Sequence, residues 1–343
     1  MGMLSGQLAL LFIFGYFLIK ATDQLVNELR DIAQITHIGK FGLTAFLLAF
    51  ATSLPELVVG IVSAIEGRPT LSLGNVLGSN IADIALVMGG AAIIGGSIRV
   101  LGEFLRRDFF STFLAGSMPL LLLVNGELSR IDSVVLLAVY VWYTYTVLAE
   151  KTGKLAQYQR SEHPFLQRLF LRLNQDKAKR HYARLIFWTA VLLLCADMLV
   201  RSSVFLAGAL GIPIILIGLF FVAVGTSLPE FAFEIRAVRA GESAMVFGNL
   251  LGSVVANSTL ILGLTALISP IHLDGGFQPY LLATVAFVVT FAMFWIFVST
   301  KRTLERWEGV LLLLVYLLFA YFEFSRINGH DIFAVLRQLT EPF

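Results

Sequence analysis

Ala51-Thr52-Ser53-Leu54-Pro55-Glu56 opens a stretch that continues through Gly74-Asn75 to Gly78-Ser79-Asn80-Ile81-Ala82-Asp83. The residues around it are strongly apolar, so the chain places acids, a proline and several hydroxyls at membrane depth. Ionisable residues in such surroundings are costly and face a cavity or a partner, which makes them candidate functional residues. Pro55 has no N–H, and its ring clashes with the carbonyl one turn earlier. We therefore expect a helix break near Thr52 that leaves backbone carbonyls free.

The same stretch occurs a second time in the chain. Gly225-Thr226-Ser227-Leu228-Pro229-Glu230 is followed by Gly248-Asn249, Gly252-Ser253 and Asn257, each 174 residues after its counterpart and without a gap. A shared spacing of this length indicates an internal duplication. Duplicated halves with paired helix interruptions are typical of secondary transporters, whose substrate site lies at the interface between the halves.

The composition indicates an integral membrane protein. Of the 343 residues 57% are hydrophobic and 14% are charged, and the mean hydropathy is +0.83, values that an ordinary soluble domain does not reach. The single cysteine, Cys195, excludes a disulfide framework and a cysteine metal cluster. The first apolar run starts at Leu4 without a basic leader or a cleavage site, so we interpret it as a retained helix.

Ten stretches approach the length of about 20 apolar residues that a spanning helix needs. They lie at 4–26, 41–65, 71–95, 105–124, 132–149, 185–208, 212–238, 245–268, 279–299 and 307–324. The long polar segment between the fifth and sixth divides the chain into three parts: a first five-helix half at 1–149, a basic loop at 150–184, and a second five-helix half with a short tail at 185–343.

The distribution of Lys and Arg sets the orientation. The loop at 150–184 is rich in both, and most of the others fall on the same side of the predicted helices, so the positive-inside rule makes this loop cytoplasmic and both termini external. Because five helices per half is an odd number, the halves enter the membrane in opposite directions. The sequence thus predicts an all-α membrane protein with ten transmembrane helices in two inverted five-helix repeats.

The residues near the two glutamates offer only oxygen ligands. On a helix, Thr52 and Ser53 share a face with Glu56, and Ser79 shares one with Asp83. The second half supplies Thr226, Ser227, Glu230, Ser253 and Asn257 in the same arrangement. Such ligands select hard cations such as Ca²⁺ or Na⁺ over zinc or copper. Emptying the site would leave bare charges at a cost of several kcal/mol per ion, which favours exchange over free passage.

Gly74, Gly78, Gly248 and Gly252 form small-xxx-small pairs at fixed distances from these acids. Such pairs allow two helices to approach closely. We expect close helix packing beside the predicted site.

The two segments resemble the alpha repeats of the cation/Ca²⁺ exchanger superfamily, in the branch that contains prokaryotic sodium/calcium exchangers. The matching motifs are Ala/Gly-Thr-Ser-Leu-Pro-Glu and Gly-Asn-x-x-Gly-Ser, present in both halves. The resemblance implies a ten-helix inverted-repeat fold and exchange of Ca²⁺ for Na⁺. The proton-coupled branch usually has Gly-Asn-x-x-Glu, and Gly78 stands where that glutamate would be.

The resemblance also implies the ion ligands. Glu56 and Glu230 would be the central calcium ligands, completed by the carbonyls of Thr52 and Thr226. Sodium ligands would come from Ala49, Ser53, Ser79, Ala223, Ser227 and Ser253 together with the two glutamates, with Asp83 and Asn257 in the middle. Two departures stand out. The acid of the Asp83/Asn257 pair is in the first half, whereas it is often in the second, and Val254 stands opposite Asn80.

Several other interpretations compete with Ca²⁺/Na⁺ antiport. Exchange of Ca²⁺ or another divalent cation for H⁺ or K⁺ uses the same kind of site, and a cation channel is the rival from another class. The histidines fall in predicted loops or in the tail, away from the intramembrane serines, which argues against a Ser-His hydrolase and against an enzyme in general. Asp23 and Asp197 are interpreted as structural.

The expected partners follow from this assignment. They are the transported ions Ca²⁺ and Na⁺ and the lipid bilayer, with no cofactor and no nucleic acid. The sequence leaves the oligomeric state open and is compatible with a monomer. The short central loop without a regulatory domain favours a prokaryotic inner membrane.

Overall fold

The computed structural model describes residues 2–36, 52–99, 107–155, 176–273 and 280–327. These residues are mostly helical. The helices are α1 Gly2–Thr36, α2 Leu54–Ile65, α3 Pro69–Gly95, α4 Arg107–Leu122, α5 Arg130–Leu155, α6 Asp176–Leu210, α7 at 214–226, α8 Leu228–Arg239, α9 at 243–268, α10 Leu281–Lys301 and α11 Arg306–Ile327.

Seven helical segments among the described residues are long and apolar enough to cross a membrane. They are Gly6–Leu25, Pro69–Gly95, Ala183–Leu210, Ile214–Arg239, Met245–Ile268, Leu281–Lys301 and Arg306–Arg326. Two shorter apolar helices, Leu54–Ile65 and Phe109–Asn125, accompany them. The predicted helical membrane fold is confirmed at this level. Part of the second predicted span, 41–51, lies outside the described residues, as does the stretch at 156–175 between α5 and α6.

The duplication in the sequence is also a duplication of elements. The helices α1 and α6 have 35 residues each and begin 174 residues apart. The helices α2 and α8 have 12 residues each at the same offset. Residues 40–51, the counterpart of 214–225, lie outside the described part of the chain. Below, two residues 174 positions apart are called counterparts.

The helix break occurs at the same place in both halves. Ser53 (φ −85°, ψ 8°) and Ser227 (φ −81°, ψ 1°) leave helical geometry, and α2 and α8 start at the next residue with a proline in the first turn. The break expected near Thr52 is confirmed. Because residue 229 is a proline, the carbonyl of Gly225 has no helical donor four residues later.

Both long helices that carry the second part of each motif contain a π-helical turn. In α3 it spans Asp83–Val87, and in α9 it spans Ala256–Ile261. A π-helical turn inserts one residue into the helix and is frequent at functional sites. The π-helical turn of α3 begins at Asp83. The turn of α9 begins at Ala256, one residue before Asn257, the counterpart of Asp83.

Two short antiparallel ladders join the halves. The strands β1 (Ile98–Arg99) and β4 (Thr303–Leu304) pair Ile98 with Leu304, and β2 (Glu127–Leu128) and β3 (Ile271–His272) pair Leu128 with Ile271. β1 follows α3 as β3 follows α9, and β2 precedes α5 as β4 precedes α11. Exchanging the halves therefore converts one ladder into the other. In chain order β1 precedes α4 and β2 follows it.

The helices α3 and α7 pack backbone against backbone. A Cβ atom built at Gly74 would collide with the carbonyl oxygen of Ile215, and one at Gly78 with that of Leu219. From the other side, a Cβ at Gly218 would lie 2.5 Å from the carbonyl oxygen of Leu71. The close approach expected at the first glycine pair is present. At Gly248 no described atom lies within 4 Å of such a Cβ, and the counterpart of α7 lies outside the described residues.

The apolar interior consists of two clusters. One joins α1 and α6 to α2 through residues such as Leu18, Leu199 and Val59. The larger one contains α3, α4, α9, α10 and α11, with Phe109 of α4 packed against Trp295 of α10 at a ring-centroid distance of 5.0 Å. The polar residues described next lie among the helices that these clusters hold in place.

Candidate functional site

The predicted site residues are buried together inside the helix bundle. The structure buries every described member of the set, namely Thr52, Ser53, Glu56, Ser79, Asp83, Ala223, Thr226, Ser227, Glu230, Ser253 and Asn257. Glu56 is only 1% exposed, and Asp83 and Glu230 are each 3% exposed. Ala49 lies outside the described residues. The site therefore combines α2, α3 and residues just before α2 with α7, α8 and α9.

Two threonine–asparagine hydrogen bonds connect the halves symmetrically. Thr52 Oγ1 donates to Asn249 Oδ1 at 3.0 Å, and Thr226 Oγ1 donates to Asn75 Oδ1 at 3.2 Å. Thr52 and Thr226 are counterparts, and so are Asn75 and Asn249. Each broken helix is thus connected to the long helix of the other half.

The serines are arranged less symmetrically. Ser53 Oγ donates to Ser253 Oγ at 3.3 Å. Their counterparts, Ser227 and Ser79, are equally buried, but neither hydroxyl has a hydrogen-bond partner. Ser227 lies beside Asp83, the acid that the second half replaces by an asparagine.

Asn80 connects α3 to α9 through both ends of its amide group. Its Nδ2 donates to Ser258 Oγ at 2.7 Å, and its Oδ1 accepts from Asn257 Nδ2 at 3.3 Å. Its counterpart Val254 has no polar atom in its side chain, so the second half cannot form the equivalent bridge. The departure from symmetry noticed in the sequence thus provides a polar contact between α3 and α9.

The acids of the site repel one another. The charge of Asp83 acts on Glu56, and the charges of both act on Glu230. In the described part of the chain, no Lys, Arg or His forms an ion pair with any of the three. Buried like charges without a basic partner are stable only when a cation or a proton compensates them.

Among the described residues, most buried side-chain polar atoms without a hydrogen-bond partner belong to this polar layer. They are Glu56 Oε2, Asn75 Nδ2, Ser79 Oγ, Asp83 Oδ1, Ser227 Oγ, Glu230 Oε2, Glu234 Oε2 and Asn257 Oδ1. Buried polar groups are normally satisfied, so such a cluster requires an explanation. All but one are oxygens, the atoms that hard cations prefer.

The acidic residues of this layer do not gather into a metal cluster of three in the described part of the chain. Within the described ranges, no three His, Cys, Asp or Glu side chains are close enough together to hold one metal ion. A cation at this place would take its other ligands from hydroxyls, amides and backbone carbonyls. Hydroxyl and amide side chains of this kind are buried in the same layer.

Sequence reasoning missed Glu234. This residue of α8 is 1% exposed, and its Oε1 accepts a hydrogen bond from Asn249 Nδ2 at 3.2 Å. Its charge acts on Glu230. The signal was available, because Glu234 follows Glu230 by four residues and so lies on the same helix face. The repeat concealed it, since its counterpart is Gly60.

Asp197, interpreted as structural, lies outside this polar layer. It forms an ion pair with Arg201 one turn later at 2.9 Å, and Arg201 also contacts Glu66 of the loop after α2 at 3.1 Å. Its counterpart Asp23 is exposed on α1.

Comparison with known proteins gives consistent matches along most of the chain. A family model described as Sodium/calcium exchanger protein matches residues 6–149 and 181–325. The Sodium/calcium exchanger MaX1 of Methanosarcina acetivorans is 29% identical over 332 residues, which cover 88% of this chain and 94% of that protein. The Inner membrane protein YrbG of Escherichia coli is 30% identical over 271 residues, covering 78% and 81%.

A solved structure of similar fold belongs to the sodium-calcium exchanger NCX_Mj, soaked with Na⁺ and Sr²⁺. It superposes with a TM-score of 0.59 at 25% sequence identity, over 91% of this chain and 96% of that one. The similarity extends over both halves and so includes all the helices that carry the buried polar layer.

Proposed function

The chain belongs to the sodium/calcium exchanger protein family, and on that premise we propose that it exchanges Ca²⁺ for Na⁺ across a membrane by alternating access. One observation carries the proposal: the cluster of buried oxygens without hydrogen-bond partners around Glu56, Asp83 and Glu230. A site that binds hard cations and is costly to leave empty couples the release of one ion to the binding of another.

The proposed topology is ten spans in two inverted repeats. Two observations support it. The strands β1 and β4 of one ladder correspond to β3 and β2 of the other when the halves are exchanged. In chain order, α4 lies between β1 of one ladder and β2 of the other. The ladder of Arg99 would then face the cytoplasm together with the basic loop at 150–184, with both termini outside. Because both halves contribute to the one site, a monomer suffices, and the inner membrane of a prokaryote is the proposed location.

The proposed ligands follow the symmetry of the site. Glu56 and Glu230 bind Ca²⁺ with the backbone carbonyls of Thr52 and Thr226. Sodium ions use the side chains of Ser53, Ser79, Ser227 and Ser253 and the carbonyls of Ala49 and Ala223, while Asp83 and Asn257 lie in the middle. Carboxylate, hydroxyl and carbonyl oxygens suit both ions, so the same pocket can serve them alternately.

Calcium uptake into proteoliposomes tests the proposal. Vesicles loaded with Na⁺ are diluted into sodium-free buffer with radiolabelled Ca²⁺ at equal pH on both sides. Uptake that requires the sodium gradient is the expected result. Uptake driven only by a pH or potassium gradient would assign another coupling ion, and ion conductance without countertransport would assign a channel.

Glu56→Gln and Glu230→Gln each test the ligand assignment. Leaving the opposing buried charge without its ion costs about 3 kcal/mol or more, so sodium-driven uptake should fall by at least about 100-fold. The matched control is Glu323→Gln in α11, which removes another buried carboxylate, one that pairs with Arg326. Uptake close to that of the unaltered protein in both site variants would refute the assignment.

A further inference from the structure

Glu234 begins a chain of hydrogen bonds that crosses from the second half to the first. Asn249 of α9 donates from Nδ2 to Glu234 Oε1 at 3.2 Å, and its Oδ1 accepts from Thr52 Oγ1 at 3.0 Å. All three side chains are buried. Hydrogen bonds removed from water are stronger than exposed ones, so this chain of bonds restricts the orientation of each of its members.

The acid determines which way the amide group of Asn249 points. A carboxylate offers only acceptor oxygens, so the amide nitrogen faces Glu234 and the amide oxygen faces Thr52. The reverse orientation would place Asn249 Oδ1 against Glu234 Oε1, two acceptors without a proton between them, and would lose that hydrogen bond. Because the amide oxygen is its acceptor, the hydroxyl of Thr52 acts as the donor in the contact between the halves.

The equivalent contact of the other half has no such acid. Asn75 accepts a hydrogen bond from Thr226, but within the described part of the chain its Nδ2 has no partner. At Gly60, the counterpart of Glu234, a Cβ atom would lie 2.9 Å from a side-chain carbon of α9, so a long side chain does not fit there. An acid therefore orients the asparagine in one of the two threonine–asparagine contacts and not in the other.

We propose that Glu234 is a positioning residue for calcium binding, which acts through Asn249 on Thr52. The backbone carbonyl of Thr52 is a Ca²⁺ ligand in the assignment above, and this residue directly precedes the helix break at Ser53. The side-chain bond from Thr52 to α9 restricts where that carbonyl points. Glu234 itself contacts no ion in this proposal. The inference rests on the proposed function, because it concerns one ligand of the proposed site.

Equilibrium binding of radiolabelled Ca²⁺ to the purified full chain tests this role. Glu234→Met removes the acceptor but keeps a side chain of similar length, and it should raise the half-saturating Ca²⁺ concentration about tenfold. Glu234→Gln keeps an oxygen that accepts from Asn249, so it should bind Ca²⁺ as the unaltered protein does. Equal losses in both variants would assign the effect to the charge of Glu234 and would overturn the proposal.

Two further backgrounds separate positioning from a general loss of stability. In a Thr52→Val background the chain of bonds already ends at Asn249, so Glu234→Met should cause no further shift in Ca²⁺ binding. In the matched Thr226→Val background the chain is intact, and the shift of about tenfold should remain. Equal shifts in the two backgrounds overturn the inference, because a loss of packing alone acts in both.

If Glu234→Met does not fold, Glu234→Ala takes its place with the same expected shifts. An unchanged half-saturating Ca²⁺ concentration in the variant that folds overturns the inference and leaves the proposed function intact. An unaltered protein that binds no Ca²⁺ would refute the proposed function and this inference together.

Discussion

Asn249 makes two side-chain hydrogen bonds across the site, whereas its counterpart Asn75 makes one. Both accept a bond from a threonine of the other half, but only Asn249 also uses its Nδ2, which donates to Glu234. The Nδ2 of Asn75 has no partner. Two residues that are equivalent in sequence thus contribute unequally to the fold.

Alanine substitutions at these two positions should therefore differ in cost. We expect Asn249→Ala to lower the free energy of unfolding by about 1 kcal/mol more than Asn75→Ala, because it leaves an additional buried acceptor without its donor. Thermal unfolding of both variants in detergent, each compared with the unaltered protein, measures the difference. Equal losses would mean that the bond to Glu234 contributes nothing to stability.

The sequence predicted which residues belong to the buried layer more easily than it predicted their hydrogen-bond partners. Helical spacing predicted that Thr52 shares a face with Glu56 and that Ser79 shares one with Asp83, and the structure buries all four residues. It gave no information on contacts between halves, such as Asn80 with Ser258. Glu234 was not predicted either, because the repeat motif has an acid at this position in one half only and Gly60 in the other.

At the scale of elements, the glycines of α3 set the distance to α7. The carbonyl oxygens of Ile215 and Leu219 occupy the positions where side chains of residues 74 and 78 would be. Because a backbone carbonyl cannot rotate away as a side chain can, any Cβ at these positions has to push the helices apart. The spacing of α3 and α7 in turn positions Asn75 and Thr226.

Gly78→Ala should separate these helices and destabilise the protein by about 3 kcal/mol, as overpacking of a tight interface does. Gly208→Ala in α6 is the matched control, because its Cβ would meet no atom within 4 Å. That change should stabilise its helix by up to about 1 kcal/mol. Unfolding in denaturant, followed for both variants, is the measurement. A Gly78→Ala protein as stable as the control would contradict the packing described.

The helix boundaries were predictable where a nearby residue determines them. Pro55 and Pro229 end one helix and begin another because proline lacks a donor. The π-helical turns at Asp83–Val87 and Ala256–Ile261 were not predicted. A single inserted residue changes the apolar periodicity too little to be recognised in helices that are buried on most sides.

At the scale of the whole molecule, two ladders join the first half to the second. Arg99 in one ladder and His272 in the other are both exposed. The duplication and the odd number of predicted helices per half indicated opposite orientation from sequence alone. The pairing of β1 with β4 and of β2 with β3 was not predictable, because it depends on how the halves pack together.

Single cysteines at these two positions should react with a membrane-impermeant maleimide from opposite sides. We expect Arg99→Cys to be labelled in inside-out vesicles and His272→Cys in right-side-out vesicles. Both are made in a Cys195→Ala background, where the buried native thiol is removed. Labelling of both positions from the same side would refute the inverted topology.

The serine contacts differ between the two halves, and this difference concerns the relative stability of two conformations. Ser53 is bonded to Ser253, while the equivalent pair Ser227 and Ser79 is unbonded. A chain made of two copies has a second conformation in which Ser227 and Ser79 are hydrogen-bonded and Ser53 and Ser253 are not. If the two copies were identical, the two conformations would have equal free energy. A difference in free energy between the two conformations can therefore come only from positions where the two copies have different residues. In the buried layer those positions include Asp83 against Asn257, Asn80 against Val254 and Glu234 against Gly60.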